Sequence, residues 1–283
     1  MAVSAARVAS RRLANGAFVA FCVAVTAVAL TALALILYSL VTQGVAGLNL
    51  DILTKSTPAA GTPGGLINAI VGSVMMSLLG MAIALVVGIL AGTWLAEYAG
   101  SSRYGAVVRF LNDVLLSAPS ILVGLFVYEV LVAPFKGFSG FAGGVALALL
   151  AAPVITRTTE DVLHIQPTSL RESGAALGSP AQHVIRAILW RAASGGILTG
   201  GLLAFARISG ETAPLLFTSL NNQFFSWNMF APMASLPVVI FQDALTPYPD
   251  LNRLAWAGAL IIAASVLGVT IVARLLSPEP RRS

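Results

Sequence analysis

Residues 202–217 read LLAFARISGETAPLLF, an apolar run interrupted by a guanidinium at Arg207 and a carboxylate at Glu211. A spacing of four places both side chains on one face of a continuous helix. Two chemistries are open to them. A salt bridge would let the helix enter a bilayer, where an isolated arginine near the midplane costs from about 3 to more than 10 kcal/mol. Alternatively the guanidinium fork, which matches two oxygens of an oxyanion, faces a hydrated path, with the Thr212 hydroxyl beside it. Pro214 bears on the choice because it has no amide hydrogen for the carbonyl of Gly210, so a helix through this segment is expected to bend or open where the charges lie. Backbone that leaves the helix at membrane depth is tolerated where it lines a cavity or is buried in protein.

The rest of the chain must supply that setting. Of its 283 residues 58% are hydrophobic and 10% charged, with a mean hydropathy of +0.90, against about 25% charged residues in an ordinary soluble domain. The composition is that of an all-α integral membrane protein. Stretches near 17–42, 66–96, 107–132, 138–156, 194–220 and 254–275 are long enough, or nearly so, to cross a hydrocarbon core that needs about 20 helical residues. No barrel-type alternation competes with helices, and six transmembrane helices are expected. The first apolar run exceeds the h-region of a cleaved signal peptide and is expected to remain as an anchor.

Net charge is +5, yet the basic residues form no face interleaved with aromatics, so nucleic acid is excluded as a partner. They report topology. With the N-terminus inside, Arg7, Arg11, Arg12, Arg103, Arg109, Arg157, Arg171, Arg186, Arg191, Arg274, Arg281 and Arg282 fall on one side, against Lys55, Lys136 and Arg253 on the other. Both termini are expected in the cytoplasm. The organisation is a tail over 1–16, a first span over 17–42, an extracytoplasmic loop over 43–65, a five-helix unit over 66–276 and a tail over 277–283. Cys22 stands alone, and His164 and His183 have no carboxylate cluster, so neither a disulfide nor a metal site is expected. Glu97, Asp113 and Glu129 lie near helix ends and read as interfacial anchors.

The longest cytoplasmic connection, about 157–193, carries local signals. Ser169 followed by Glu172 has capping-box spacing, Gly178 is a helix stop, Ser179 an N-cap and Pro180 a first-turn residue. Two short helices are expected, turning at LGSP. The small residues Ser173, Gly174, Ala175 and Ala176 would let a partner approach. In the second helix Val184, Ile188 and Ala192, flanked by Ile185 and Leu189, lie opposite Gln182, His183 and Arg186. A surface loop packed on its own membrane domain fits these features as well as a docking element does.

ESGAALG, with nine residues between Gly178 and Ile188, resembles the EAA loop of ABC importer permeases: Glu172, Gly178 and Ile188 match in spacing, while Ser173-Gly174 replaces Ala-Ala and Trp190-Arg191 replaces Leu-Pro. WLAEYAG, APSILVGLF, PVITRTTEDVL, SLRESGAALGS, the run around GETAPLLFT, and SLPVVIF follow in order across most of 66–276. This set is similar to phosphate ABC transporter permeases of the PstA type. The resemblance implies a type I importer fold and a loop, with Glu172, Ser173, Gly174, Ala175, Gly178, Ser179, Pro180 and Ile188, that enters a groove on a cytoplasmic ATPase. It also implies a second permease of the PstC type, an ATPase dimer of the PstB type and a phosphate-binding protein of the PstS type, and it places Arg207 and Glu211 in the pathway.

A Walker A motif needs GxxxxGK and Ser or Thr; the only lysines, Lys55 and Lys136, sit in ILTKST and PFKGFS. ATP and magnesium are therefore expected on the partner ATPase, and no catalytic group or cofactor is expected on this chain. Permeases for molybdate or sulfate share the loop, but GETAPLLFT argues against them. An ATP-independent anion transporter would account for the spans without a docking loop.

Overall fold

The computed structural model describes residues 5–276, with side chains for 11–275. The expected C-terminal tail and the side chain of Arg7 lie outside the described residues. Among the described residues every regular element is helical. Four helices have the length and hydropathy of membrane spans: α1 (Ala5–Gly47), α2 (Ile67–Trp94), α5 (Gly140–Ile165) and α12 (Pro249–Leu276). The remaining helices in chain order are α3 (Arg103–Ser117), α4 (Ser120–Val127), α6 (Thr168–Ala176), α7 (Ala181–Val184), α8 (Trp190–Ala192), α9 (Ser194–Ser209), α10 (Ala213–Thr218) and α11 (Leu236–Ala244). π turns follow α2 (Leu95–Ala99), α4 (Tyr128–Val132) and α7 (Ile185–Leu189).

By length and composition the count of candidate spans reaches six if each of two bent pairs is one span. The expected straight span over 107–132 is instead α3 and α4 with its π turn, meeting at 106°. The cause is local: Ala118 precedes Pro119, is pushed out of the α region, and sits at φ −65°, ψ 135°. In the second pair the helix from Ala181 to Ala192 meets α9 at 71°. The expected loop over 43–65 is shorter, since α1 runs to Gly47 and Leu50–Leu53 form a 3₁₀ turn. The loop expected over 157–193 begins later, because α5 continues to Ile165.

α5 is the central post, buried along most of its length by α2, α3, α4, α9 and α10. Every fourth residue of α2 faces inward: Asn68, Gly72, Met76, Gly80, Ala84, Gly88 and Gly92 are all buried. Such small-residue stripes let helices approach closely in lipid, where van der Waals packing rather than water expulsion drives association. A Cβ on Gly92 would lie 2.5 Å from the Thr156 carbonyl oxygen, and one on Gly88 would lie 2.7 Å from the Ile155 Cβ. By contrast α1 carries exposed apolar residues along its length and meets α12 only near its C-terminal end, where Gly44 lies against Leu260 and Gly47 against the Arg253 carbonyl. The SLPVVIF piece forms α11, which packs Leu236 and Val239 into a cluster with Leu251 and Leu254 of α12.

Candidate functional site

The segment carrying Arg207 and Glu211 is broken, though not where proline alone would break it. α9 ends at Ser209, Gly210 takes φ −105°, ψ 4°, and the amide of Glu211 closes a turn onto the Ile208 carbonyl at 3.2 Å. Thr212 then caps α10 as its first non-helical residue, and Pro214 falls within that helix's first turn, where a missing amide hydrogen costs nothing. Of the expected outcomes, a bend or an opening where the charges lie, the segment shows an opening between two helices, and Pro214 removes no bond within either. Pro214 has a packing role: it is buried against Gly124 of α4, where a Cβ would lie 2.6 Å from the Pro214 Cα.

Termination at Ser209 removes the shared helical face on which one of the two readings, a salt bridge, relied. Arg207 occupies the last turn of α9 and Glu211 lies beyond it, so four residues no longer correspond to one helical turn. Neither belongs to any ion pair among the described residues. Arg207 is exposed, on the same face of α9 as exposed Thr199 and Leu203, while Glu211 and Thr212 are half-buried beside it. A guanidinium with no ion partner among the described residues, at a helix end inside an apolar segment, is available to an oxyanion or to another subunit.

The loop end is built the opposite way. α6 closes in a Schellman arrangement: the Ser179 amide donates to the Gly174 carbonyl (3.1 Å), the Gly178 amide donates to the Ala175 carbonyl (2.9 Å), and Gly178 has φ +69°. The stop at Gly178 is therefore where the sequence puts it. Three details differ. Ser169 is not a cap: α6 starts at Thr168 after Pro167, with no side-chain cap bond, and Ser169 instead accepts on its carbonyl from the Ser173 hydroxyl at 2.7 Å. Pro180, not Ser179, is the N-cap of α7, with its carbonyl taking the amides of His183 and Val184. Gly174 faces inward rather than toward a partner, since a Cβ there would lie 2.5 Å from Val184. Proline at 167 and 180 explains the first two shifts, because each fixes the extended backbone that precedes a helix.

Outward from this turn stand Glu172, Ser173, Ala175, Gly178 and Pro180, with Leu177 at the tip 84% exposed. Val184, Ile185 and Leu189 are buried, Ile188 is half-buried, Gln182, His183 and Arg186 are exposed as expected, and Ala192 is exposed despite its place on the apolar register.

Two arginines that the sequence did not single out grip the π turn after α2, and one of them holds the loop to it. Arg171 in α6 reaches back to Glu97 in the π turn after α2, with Nε 3.0 Å from Oε2 and Nη2 2.6 Å from Oε1. Its remaining bonds go to the carbonyls of Gln166 (3.0 Å) and Leu163 (2.9 Å) at the end of α5. The hydrogen bond to Glu97 raises the Arg171 pKa above its ordinary value, against a smaller opposing effect of burial. Arg109 of α3 donates to Glu160 of α5 at 2.6 Å and to the carbonyls of Gly100 and Leu95. Glu97 is therefore a buried tie and not an interfacial anchor; its side chain is 9% exposed. No local signal links residues so far apart in sequence, although buried carboxylates near helix ends opposite basic residues are the pattern that would reveal them.

Residues 84–282 match the family of binding-protein-dependent transport system inner membrane components. The phosphate transport system permease protein PstA of Haemophilus influenzae is 55% identical over 240 residues, covering 85% of each chain. The probable phosphate transport system permease protein PstA of Methanocaldococcus jannaschii is 34% identical over 240 residues, covering 84% of this chain and 85% of its own. Among solved structures, a chain of the MetNI methionine ABC transporter in an inward-facing conformation superposes with a TM-score of 0.62 at 17% identity, over 75% of this chain and 96% of that one. This likeness carries the fold, an all-α permease of the type I ABC importer kind. The chain therefore belongs to the binding-protein-dependent transport system inner membrane components and, within them, to the PstA group of permeases.

Proposed function

We propose that this chain is the permease subunit of an ATP-driven phosphate importer, forming the pathway together with a second permease of the PstC type. The relatives named for phosphate transport support the substrate, and the exposed Arg207 at the α9–α10 break, without an ion pair among the described residues, carries the reading. An anion leaving water needs donors, and a guanidinium fork supplies two toward adjacent oxygens. Glu211, close in sequence but unpaired, keeps that positive site from holding phosphate too firmly and accepts a hydrogen bond from its protonated form. Thr212 adds a hydroxyl at the same level.

ATP and its magnesium bind an ATPase dimer of the PstB type, which takes the α6–α7 turn into a groove. Glu172, Ser173, Ala175, Gly178 and Pro180 face that groove, with Leu177 as an apolar tip, while Gly174 and Ile188 support the turn from within. A phosphate-binding protein of the PstS type delivers substrate on the other side. The excess of arginine on the loop side supports an inner-membrane topology with both termini cytoplasmic.

ATP-dependent uptake of labelled phosphate by vesicles holding the complete complex tests this. Gly178→Glu is expected to prevent ATPase docking, whereas Glu211→Gln is expected to alter the rate or the preference among phosphate protonation states. Uptake at the native rate without any ATPase, or unchanged transport in both variants, would contradict the assignment.

A further inference from the structure

The turn that the ATPase is proposed to grip is joined to the membrane domain both along the chain and across it. Along the chain it follows α5 through Gln166 and Pro167 and leads through Ala193 and the 71° bend into α9. Across the chain, Trp190 donates to Thr93 of α2 at 3.1 Å, and α6 is tied to the π turn after α2 by the two-bond contact between Arg171 and Glu97. Beside this contact lies a cavity of about 260 Å³ between the π turn and the loop, its walls including Tyr98, Ala175, Ser179 and Val184. Ala96 of the π turn packs against the cluster of Leu163, Ile185 and Leu189, and beside that apolar contact Glu97 and Arg171 line the cavity. The same π turn is held from the other side by Arg109, which takes the carbonyls of Leu95 and Gly100 while bonded to Glu160 of α5. π turns set in α-helices occur frequently at functional sites, and this one is gripped by side chains from α3 and α6 at once.

We propose that Glu97 and Arg171 are a positioning pair that passes displacement of the loop to α2, so that α2 and α9 move together when the ATPase closes. The inference rests on the loop's proposed role as the ATPase contact. α2 is the helix packed most closely on the central α5, so a displacement passed to the π turn at its end reaches the main helix interface of the domain. The bidentate geometry suits the task, because a planar guanidinium on a carboxylate fixes direction as well as distance.

The complete complex in vesicles, supplied with ATP and labelled inorganic phosphate, separates this from a purely structural role. ATP hydrolysis and phosphate import are measured together for the native chain, Glu97→Gln, Arg171→Ala and Arg171→Lys. Glu97→Gln and Arg171→Ala are expected to retain the ATPase and to hydrolyse ATP at near the native rate, with phosphate imported per ATP reduced about tenfold, a size usual for coupling between sites. Arg171→Lys, which keeps the charge and a donor toward Glu97 and the carbonyls, is expected to retain more of that ratio than Arg171→Ala. An unchanged ratio in Glu97→Gln and Arg171→Ala overturns the proposal. So does a parallel fall of hydrolysis, import and subunit retention in Glu97→Gln and Arg171→Lys, because the pair would then serve only the fold. Failure of the native complex to import phosphate would instead overturn the functional reading, independently of this pair.

Discussion

The two charged regions of this molecule use the same residue types to opposite ends. Near the loop, Arg171 and Arg109 have all their direction taken up by Glu97, Glu160 and backbone carbonyls, with both carboxylates less than a tenth exposed. At the α9–α10 break, Arg207 and Glu211 have no ion partner among the described residues, and Arg207 stands exposed. A charge satisfied within the chain ties elements together, and removing one partner strands the other. A charge left unsatisfied within the chain adds little to the fold and is free for substrate or subunit.

This difference is sharpened by substitutions of decreasing effect on stability. Arg109→Ala leaves Glu160, 5% exposed, with only His164 at 3.7 Å. Breaking a buried pair from one side costs about 3–5 kcal/mol, so thermal unfolding in detergent should fall strongly.

Asp243 on α11 is next. It is 7% exposed, its Oδ2 has no hydrogen-bond partner among the described residues, and burial, with repulsion from Asp250, raises its pKa from 3.8 to about 6. The folded state thus binds more protons than the unfolded state between these values, so stability is highest below pH 4 in this respect and declines as pH rises through 6. Asp243→Asn should abolish that slope, with its advantage over the native chain growing by up to about 3 kcal/mol between pH 4 and pH 7. A denaturation series across pH measures it; identical slopes would show that the carboxyl is not buried as described.

Gly178→Ala follows. Its φ of +69° is unfavourable for a side chain, and nothing lies within 4 Å of the added Cβ, so the cost is conformational alone, about 1–2 kcal/mol. Smallest is Arg207→Ala, expected to change stability by no more than about 0.5 kcal/mol, as for an exposed site without partners. A loss comparable to that of Arg109→Ala would remove the contrast between the two ends.

Much of this was legible from local signals. Four of the six apolar stretches, the stop at Gly178 and the burial of Val184 with Ile185 and Leu189 beside it depend on residues close in sequence, and the structure follows them, whereas Ile188 of the same register is half-buried and Ala192 exposed. Proline was harder to place. Pro119 divides an apolar run that hydropathy alone joins, and Pro214 begins a helix instead of bending one. The ties Arg171–Glu97 and Arg109–Glu160 were not legible, because each joins residues brought together only when α2, α3, α5 and α6 pack. For the same reason the four-residue spacing of Arg207 and Glu211 misled: it measures a helical turn only while the helix lasts, and α9 ends at Ser209.

The most direct test of the proposed pathway is phosphate uptake by vesicles containing the complete complex with Arg207→Ala or Arg207→Lys. Loss of a hydrogen bond to a charged group, worth about 1.5–3 kcal/mol, predicts uptake reduced about 10- to 100-fold for alanine, with subunit composition and folding stability unchanged. Lysine, a point charge without the fork, should fall between alanine and the native residue. Native uptake by Arg207→Ala in an intact complex would contradict the placement of phosphate at this break.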